Sequence, residues 1–294
     1  MNRGMSWSRV SSAWFGVAML VSCAATAAEK GVRIELLDAS GAVVASQEAK
    51  DGAATLAFER TYQPGDRIRV VGPTLMAVRL ADRMRECLVC APDGVAEYPI
   101  PSGKELRVYA REWFAGIEHT ATARPATADE LAAERNLALN PYDVRGKTTF
   151  FPHATSNSEC RNEPDFAARN AIDGETSNRR HGAWPVQSWG PDKRKDLWWK
   201  VEFGRPVELE RVGLVIRADF PHDRHWHHAV IEFSDGTREP VEIKKTAEKQ
   251  TFAFTKRTAT WLRFTDLVQD EPLGWCAFTE VEAWGGEAKP AEGK

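Results

Sequence analysis

The chain has no marked excess of charge of either sign. Its 294 residues carry 39 basic and 42 acidic side chains, a net charge of −3, so electrostatics recommends no nucleic-acid partner. It also lacks a hydrophobic run long enough to cross a bilayer as a helix. No repeat of fixed period is present. G-x-S-x-G, H-E-x-x-H and the P-loop pattern are absent, and no two carboxylates are spaced so that sequence alone would pair them, which discourages a hydrolase reading. What is present is an ordinary globular composition, 43% hydrophobic and 28% charged with 21 Gly and 16 Pro. This argues against long disorder, collagen or a multi-span membrane protein, and the length suits two domains or one large one. Eleven Trp stand against four Tyr, and eight of the Trp fall between Trp184 and Trp284, so the C-terminal half is chemically distinct.

At the N-terminus Arg3 and Arg9 precede the apolar run Ala13 to Val21 and the small residues Ser22 to Ala28, the three-part pattern of an export signal over residues 1–28. Two cleavage readings stand side by side. One is an A-x-A site at Ala25-Thr26-Ala27; the other is cleavage before Cys23, where Leu20-Val21-Ser22-Cys23 looks like a lipobox and a lipidated Cys23 would anchor the chain to a membrane. Either way the expectation is an exported protein: periplasmic, cell-surface or secreted. Loss of residues 1–28 removes two Arg and no acid, taking the net charge from −3 to −5. Export permits disulfides, and Cys87, Cys90, Cys160 and Cys276 remain, with three full pairings open. Cys87 and Cys90 fall in a strand-like stretch, where residues three apart face opposite sides, which disfavours a direct bridge.

From Gly31 to Tyr109 short strand-like runs alternate with turn residues. The runs include Val32–Leu37, Ala54–Phe58, Arg67–Val71 and Leu106–Tyr109; the turns include Asp51-Gly52, Pro64-Gly65-Asp66 and Pro92-Asp93-Gly94. The pattern predicts an all-β fold, with a small β-sandwich over residues 29–120. Thr127-Ala-Asp-Glu130 has capping-box spacing and predicts a short helix in a linker over 121–135. A second all-β unit is expected over 136–286. Its strands are predicted near 197–203, 207–217, 229–233, 241–244, 251–254, 260–265 and 278–284, with a disordered tail over 287–294.

Six motifs of this second unit occur in order: Asn136-Leu-Ala-Leu-Asn140, Ala168-Arg-Asn-Ala-Ile-Asp-Gly174, Leu197-Trp-Trp-Lys-Val-Glu-Phe-Gly204, Val212-Gly-Leu-Val-Ile-Arg217, Glu232-Phe-Ser-Asp-Gly236 and Phe278-Thr-Glu-Val-Glu-Ala-Trp-Gly285. Together they resemble the discoidin, or coagulation-factor type C, domain and the related family 32 carbohydrate-binding modules, over about half of the chain. The resemblance implies a galactose-binding-like jelly-roll β-sandwich that binds glycans, or lipid or protein surfaces, through loops at one end, without catalysis on this domain. It also implies a structural calcium ion. Asp173 and Glu175 would supply carboxylates, Asn178 stands where the family usually has Thr, Asn170 and Ala277 would offer backbone carbonyls, and Glu280 would close the site. Such an oxygen set suits a hard cation. If the loop near 170 and the strand near 280 meet around one ion, Cys160 and Cys276 lie at the same end, and a bridge between them is the expected pairing.

A sugar is held by stacking its C–H face on an aromatic ring while its hydroxyls bond to polar side chains. Trp198, Trp199, Trp261 and Trp284 sit inside strand patterns and read as core or sheet surface. Trp184, Trp189, Trp226 and Trp275 stand among Pro, Gly and polar residues and read as exposed platforms. The densest polar cluster runs from Arg217 to His228. By the resemblance, Arg217, Asp219, His222 and His225 take on ligand contacts there, and His181 and His153 add donors from two other loops. The four His of that cluster also invite a transition-metal reading, although in an extended segment only a subset could converge. The leading expectation is a non-catalytic protein whose partner is a glycan or polysaccharide. An adhesion or scaffold protein binding a protein or lipid surface is the second reading, and a glycan-active hydrolase the third.

Overall fold

In the computed structural model, residues 31–288 are described, together with the first methionine. The expected export signal after Met1, Cys23 and the last six residues lie outside the described residues. The fold is all-β. The N-terminal unit contains strands β1 (Arg33–Leu37), β2 (Val43–Glu48), β3 (Ala54–Glu59), β4 (Arg67–Val71), β5 (Leu75–Arg79), β6 (Cys87–Cys90), β7 (Val95–Pro99) and β8 (Glu118–Pro125). They form two antiparallel four-stranded sheets, ordered β2-β1-β4-β7 and β3-β8-β5-β6. Strict alternation puts Ile68 and Val70 of β4 inside while Arg67 and Arg69 face outward. Two sequence expectations shift here. Leu106 to Tyr109 is not a strand: residues Gly103–Val108 form a 3-10 turn, entered where Gly103 takes a positive φ. The connector expected from residue 121 starts later, because Ala121 and Ala123 of β8 are core residues paired to β3.

After β8 comes the short helix α1 (Ala128–Ala132), with both capping-box bonds in place. Thr127 Oγ1 accepts from the Glu130 amide, and the Glu130 carboxylate accepts from the Thr127 amide. The C-terminal unit then runs through β9 (Arg135–Asn136), β10 (His153–Ser156), β11 (Trp199–Ile216), β12 (His228–Phe233), β13 (Arg238–Glu242), β14 (Gln250–Val268) and β15 (Phe278–Glu287). Its sheet has the order β13-β12-β14-β11-β15-β9, with β10 pairing the start of β11. The two strands expected over 197–203 and 207–217 are one long strand. Gly-Arg-Pro at 204–206 reads as a break, but Gly204, at positive φ, carries a bulge through which β11 continues. The packed Phe151 ring would meet any Cβ at Gly204. The same merging joins 251–254 and 260–265 into β14. Glu287, expected in the tail, closes β15 and accepts two bonds from Arg205 at 2.7 Å.

The C-terminal core is aromatic: Trp189, Trp199, Phe203, Trp226, Phe233, Phe264 and Phe278 are all buried in it. The segment between β9 and β10 serves both cores. Leu137 and Ala138 pack into the C-terminal one, while Tyr142 and Phe150 are fully buried in the N-terminal one. The Tyr142 hydroxyl donates to the Arg85 carbonyl and accepts from the Leu80 amide. Across the same boundary Arg107 grips the buried Asp165 carboxylate, with its Nη2 at 2.5 Å. Among the described residues the four cysteines are buried free thiols, so the expected Cys160–Cys276 bridge is absent from them. Cys87 and Cys90 instead turn their sulfurs to the Leu139 and Gly204 carbonyls.

Candidate functional site

Strand β11 ends at Ile216 and delivers Arg217 into the interior, where only 4% of the residue is exposed. A buried guanidinium needs a partner, and Asp223, six residues on in the following loop, supplies it: Nε and Nη2 of Arg217 donate to its two oxygens at 2.8 and 2.7 Å. The same carboxylate accepts the Asp219 amide at 3.2 Å and meets His222 Nδ1 at 3.0 Å. Asp223 is therefore the hub that folds residues 217–223 into a tight loop. A short bridge from Asp223 to Trp275, with the Arg224 amide on the Trp275 carbonyl, ties this loop to the segment before β15.

These loops enclose a cleft of about 400 Å³, counting the part open to solvent. Its walls include Phe166, His181, Arg217, His222 and Trp275. Gly190 keeps it open, since a Cβ there would meet the Phe166 ring at 3.0 Å and Arg217 Nη1 at 3.5 Å. With Nε and Nη2 committed to Asp223, Nη1 is the guanidinium nitrogen left for a guest. His181 reaches the site from the loop after residue 178. Its Nδ1 lies 2.6 Å from Asp219 Oδ2, and its ring stacks on His222 with centroids 4.7 Å apart and planes 14° from parallel. Trp275 is half-buried, and the Lys193 ammonium sits 4.5 Å from its ring centroid. Cys160 and Cys276 line the same cleft as thiols, and burial pushes the Cys276 thiol up to about 12.

Of the residues singled out as ligand contacts, the structure gathers His181, Arg217, Asp219 and His222 at this cleft, and the others lie elsewhere. Trp189 and Trp226, expected as exposed platforms, are fully buried and stack on each other at 5.5 Å to close the end of the core. Trp184 turns to the N-terminal unit, where its amide donates to the Arg107 carbonyl and its ring meets Trp113 edge-on at 5.7 Å. His153 is buried on β10 with Nδ1 2.6 Å from Asp143 Oδ1; burial works to lower its pKa, but the Asp143 bond and charge prevail and raise it. His225 is half-buried outside the cleft, its pKa lowered by burial and then by Lys245. Sequence reasoning missed Asp223. An Asp between His222 and Arg224 carries no sign that it will be the buried anchor.

The residues expected around a calcium ion divide. Asp173 and Glu280 are both buried and feel each other's charge. Burial, partly opposed by Arg169, raises Asp173 to about 6; burial and then the Asp173 charge hold Glu280 well above the usual carboxylate range. Asp173 accepts from Gln187 Nε2 at 2.8 Å and the Glu175 amide at 2.9 Å, while Glu280 accepts from the Gly174 amide at 3.2 Å. Beside them Gln187 Oε1, Ser188 Oγ and Thr279 Oγ1 are buried with no hydrogen-bond partner. Two buried carboxylates with unpartnered oxygens nearby fit a hard cation. The other expected ligands also bond within the fold. The Asn178 amide nitrogen bonds the Ile216 and Ala247 carbonyls, and the Asn170 amide nitrogen those of Pro164 and Ser188. The Ala277 carbonyl already takes the Arg217 amide.

No protein-family model and no curated protein matches the sequence. Solved structures similar to about half of the chain are carbohydrate-binding modules. A chitosan-binding module of a chitosanase/glucanase from Paenibacillus sp. IK-5 is 23% identical over 51% of this chain and 98% of its own, with a TM-score of 0.36. The family 32 module of NanJ from C. perfringens, solved with galactose, is 14% identical over 52% and 99%, with a TM-score of 0.38. A fucose-binding module from Streptococcus pneumoniae is 16% identical over 50% and 96%, with a TM-score of 0.37.

Proposed function

We propose that this is an exported, non-catalytic glycan-binding protein whose ligand occupies the cleft between Arg217 and Trp275. The observation that carries the reading is the pairing, in one open space, of an aromatic wall with hydrogen-bonding groups at its rim. Phe166 and Trp275 offer ring surface; Arg217 Nη1 and the two imidazoles offer donors and acceptors to hydroxyls. The carboxylates nearest the cleft favour binding over hydrolysis. Asp223 is held by Arg217 and Asp219 faces His181, so each carboxylate already has a partner within the fold. An adhesive role would want one apolar patch. Among the described residues the large exposed hydrophobics are scattered: Val43, Val44 and Val95 on strands of the N-terminal unit, Leu106 and Ile117 in its turns, and Val268 at the end of β14. Export rests on the signal pattern of residues 1–28, and a structural calcium ion held by Asp173 and Glu280 belongs to the same reading.

A glycan-array screen of the mature protein, run with calcium and again with EDTA, tests the proposal. Retention of a defined set of sugars is expected, at single-module affinities of about 4–8 kcal/mol. Trp275→Ala should abolish retention while keeping a cooperative thermal melt within about 4 °C of the wild type. Silence of the folded wild-type protein on a broad array would overturn the reading.

A further inference from the structure

We infer that the mouth of the cleft is a binding site for a divalent transition-metal ion of the zinc class, with His181, Asp219 and His222 as its protein ligands. Each of the three offers a donor atom, and these atoms all lie within 4.8 Å of one another. They come from two segments brought together only by the fold: His181 from the loop after residue 178, Asp219 and His222 from the loop that follows β11. Moderate closure would bring the three onto one ion, since ligands about 2.0–2.2 Å from a zinc ion lie closer together than this.

The second observation is how the imidazoles are oriented. In each ring Nδ1 faces a carboxylate: His181 on Asp219 Oδ2 at 2.6 Å, His222 on Asp223 Oδ1 at 3.0 Å. For His222 a neutral ring that donates its Nδ1 proton to Asp223 keeps the Nε2 lone pair free to ligate, and that carboxylate fixes the ring plane. For His181 the facing carboxylate is the ligand Asp219 itself, so the ion enters between His181 Nδ1 and Asp219 Oδ2 in place of their hydrogen bond. For His222 this support extends further, because Asp223 is itself clamped by Arg217 in the buried pair. The near-parallel stack holds the two rings side by side, with centroids 4.7 Å apart. Two nitrogens and one carboxylate select zinc, nickel or copper over calcium, which wants six to eight oxygens. Three protein ligands also leave a coordination position toward the cleft for water or a guest.

This inference does not rest on the glycan reading, and its test contains no sugar. Tag-free mature protein, stripped with EDTA and desalted, is titrated with Zn²⁺ by calorimetry and with Co²⁺ by visible absorption. One equivalent should bind, with a Co²⁺ spectrum of nitrogen and oxygen ligation. His181→Ala and His222→Ala should each weaken uptake by more than the roughly 10–100-fold that loss of an outer-shell partner costs. His228→Ala, removing an imidazole paired to Glu242 on a different strand pair, should leave uptake unchanged. The side chains of His181 and His222 are 38% and 48% exposed, so both variants should keep the wild-type melt, and Asp219→Asn gives the same readout through a different ligand. Absence of uptake by the wild-type protein would overturn the assignment. So would unchanged uptake in the His181→Ala/His222→Ala double variant, or a sulfur charge-transfer band that moves the ion to Cys160 or Cys276.

Discussion

Arg217 and Asp223 form a two-pronged ion pair, 2.8 and 2.7 Å, with 4% and none of their side-chain surface exposed. Both sit at the base of the cleft. The pair is worth most as a constraint, because removing either partner strands the other charge in the interior. Arg217→Met should therefore destabilise the protein by about 3–5 kcal/mol. Asp223→Asn keeps the shape but replaces one accepting oxygen by an NH2 donor and leaves the Arg217 charge without its counter-ion, so it should cost a similar amount. Urea unfolding followed by tryptophan fluorescence checks both; a cost for Arg217→Met within error of zero would mean that the loop does not depend on the pair.

The pH dependence of stability should carry the mark of Asp173. Its pKa is raised in the folded protein from 3.8 to about 6, so the native state holds this proton where the unfolded chain has lost it. Stability is then greatest below about pH 4 as far as this group is concerned, and falls as the pH rises through 6, by about 3 kcal/mol in all. Glu280, also raised, adds in the same direction. The difference between wild type and Asp173→Asn, measured by denaturant unfolding from pH 4 to 7.5 in EDTA, isolates the effect. Millimolar Ca²⁺ should restore wild-type stability at pH 7.5 and do nothing for the variant. A wild-type curve that rises relative to Asp173→Asn across this window would contradict both statements.

Tryptophans that look alike in sequence should behave in opposite ways. Trp226 and Trp189 are flanked by polar, Pro and Gly residues that mimic an exposed loop, yet they stack on each other in the core, with Phe278 tilted against Trp189 and edge-on to Trp226. Trp226→Ala should cost about 3–5 kcal/mol. Trp275, half-exposed beside the cleft, should cost about 1 kcal/mol or less when replaced by Ala. The comparison of the two melts is direct, and equal losses would put Trp275 in the core with the others.

That contrast shows where sequence reading reaches its limit. Alternation made most strands legible, because a half-buried strand must alternate, and the capping box at Thr127 was legible because its two bonds are local. The continuity of β11 through Gly204 was not, since a bulge and a strand end use the same residues. At the site, Arg217, Asp219 and His222 stood out in a dense polar cluster, and His181 as a donor from another loop. Asp223 did not, because its role depends on Arg217 being buried, and burial is decided by distant partners. The same holds for Trp189 and Trp226, whose neighbours in sequence are not their neighbours in space.

The segment from residue 136 to 152 makes the two units depend on each other. Tyr142 and Phe150 fill the N-terminal core although they follow β9, which pairs with β15 of the C-terminal sheet. A fragment ending at residue 135 would lose both rings and leave Leu80 and Arg85 without the Tyr142 hydroxyl. Such a fragment should show no cooperative unfolding transition, and residues 31–152 should regain one. Circular dichroism melts of the two fragments decide it. A sharp melt for the shorter one would mean that its eight strands close a core without help.

The cysteines supply the last test. Burial pushes the Cys87 and Cys276 thiols up to about 12 and raises Cys90, so the thiolate, which is the reacting species, is scarce at pH 8 and shielded as well. These three should be silent to a thiol-reactive disulfide reagent in the native protein and react together when guanidinium unfolds it. With Cys160 also free, unfolding should expose four thiols from the chain beyond residue 28. A count of two, restored to four by prior reduction, with Cys160 and Cys276 recovered as one disulfide-linked peptide pair, would show that the cysteines around the cleft had bridged. The segments that carry Cys160 and Cys276 would then be fixed by a covalent link that the folded chain does not need in order to bring the two sulfurs to the same wall.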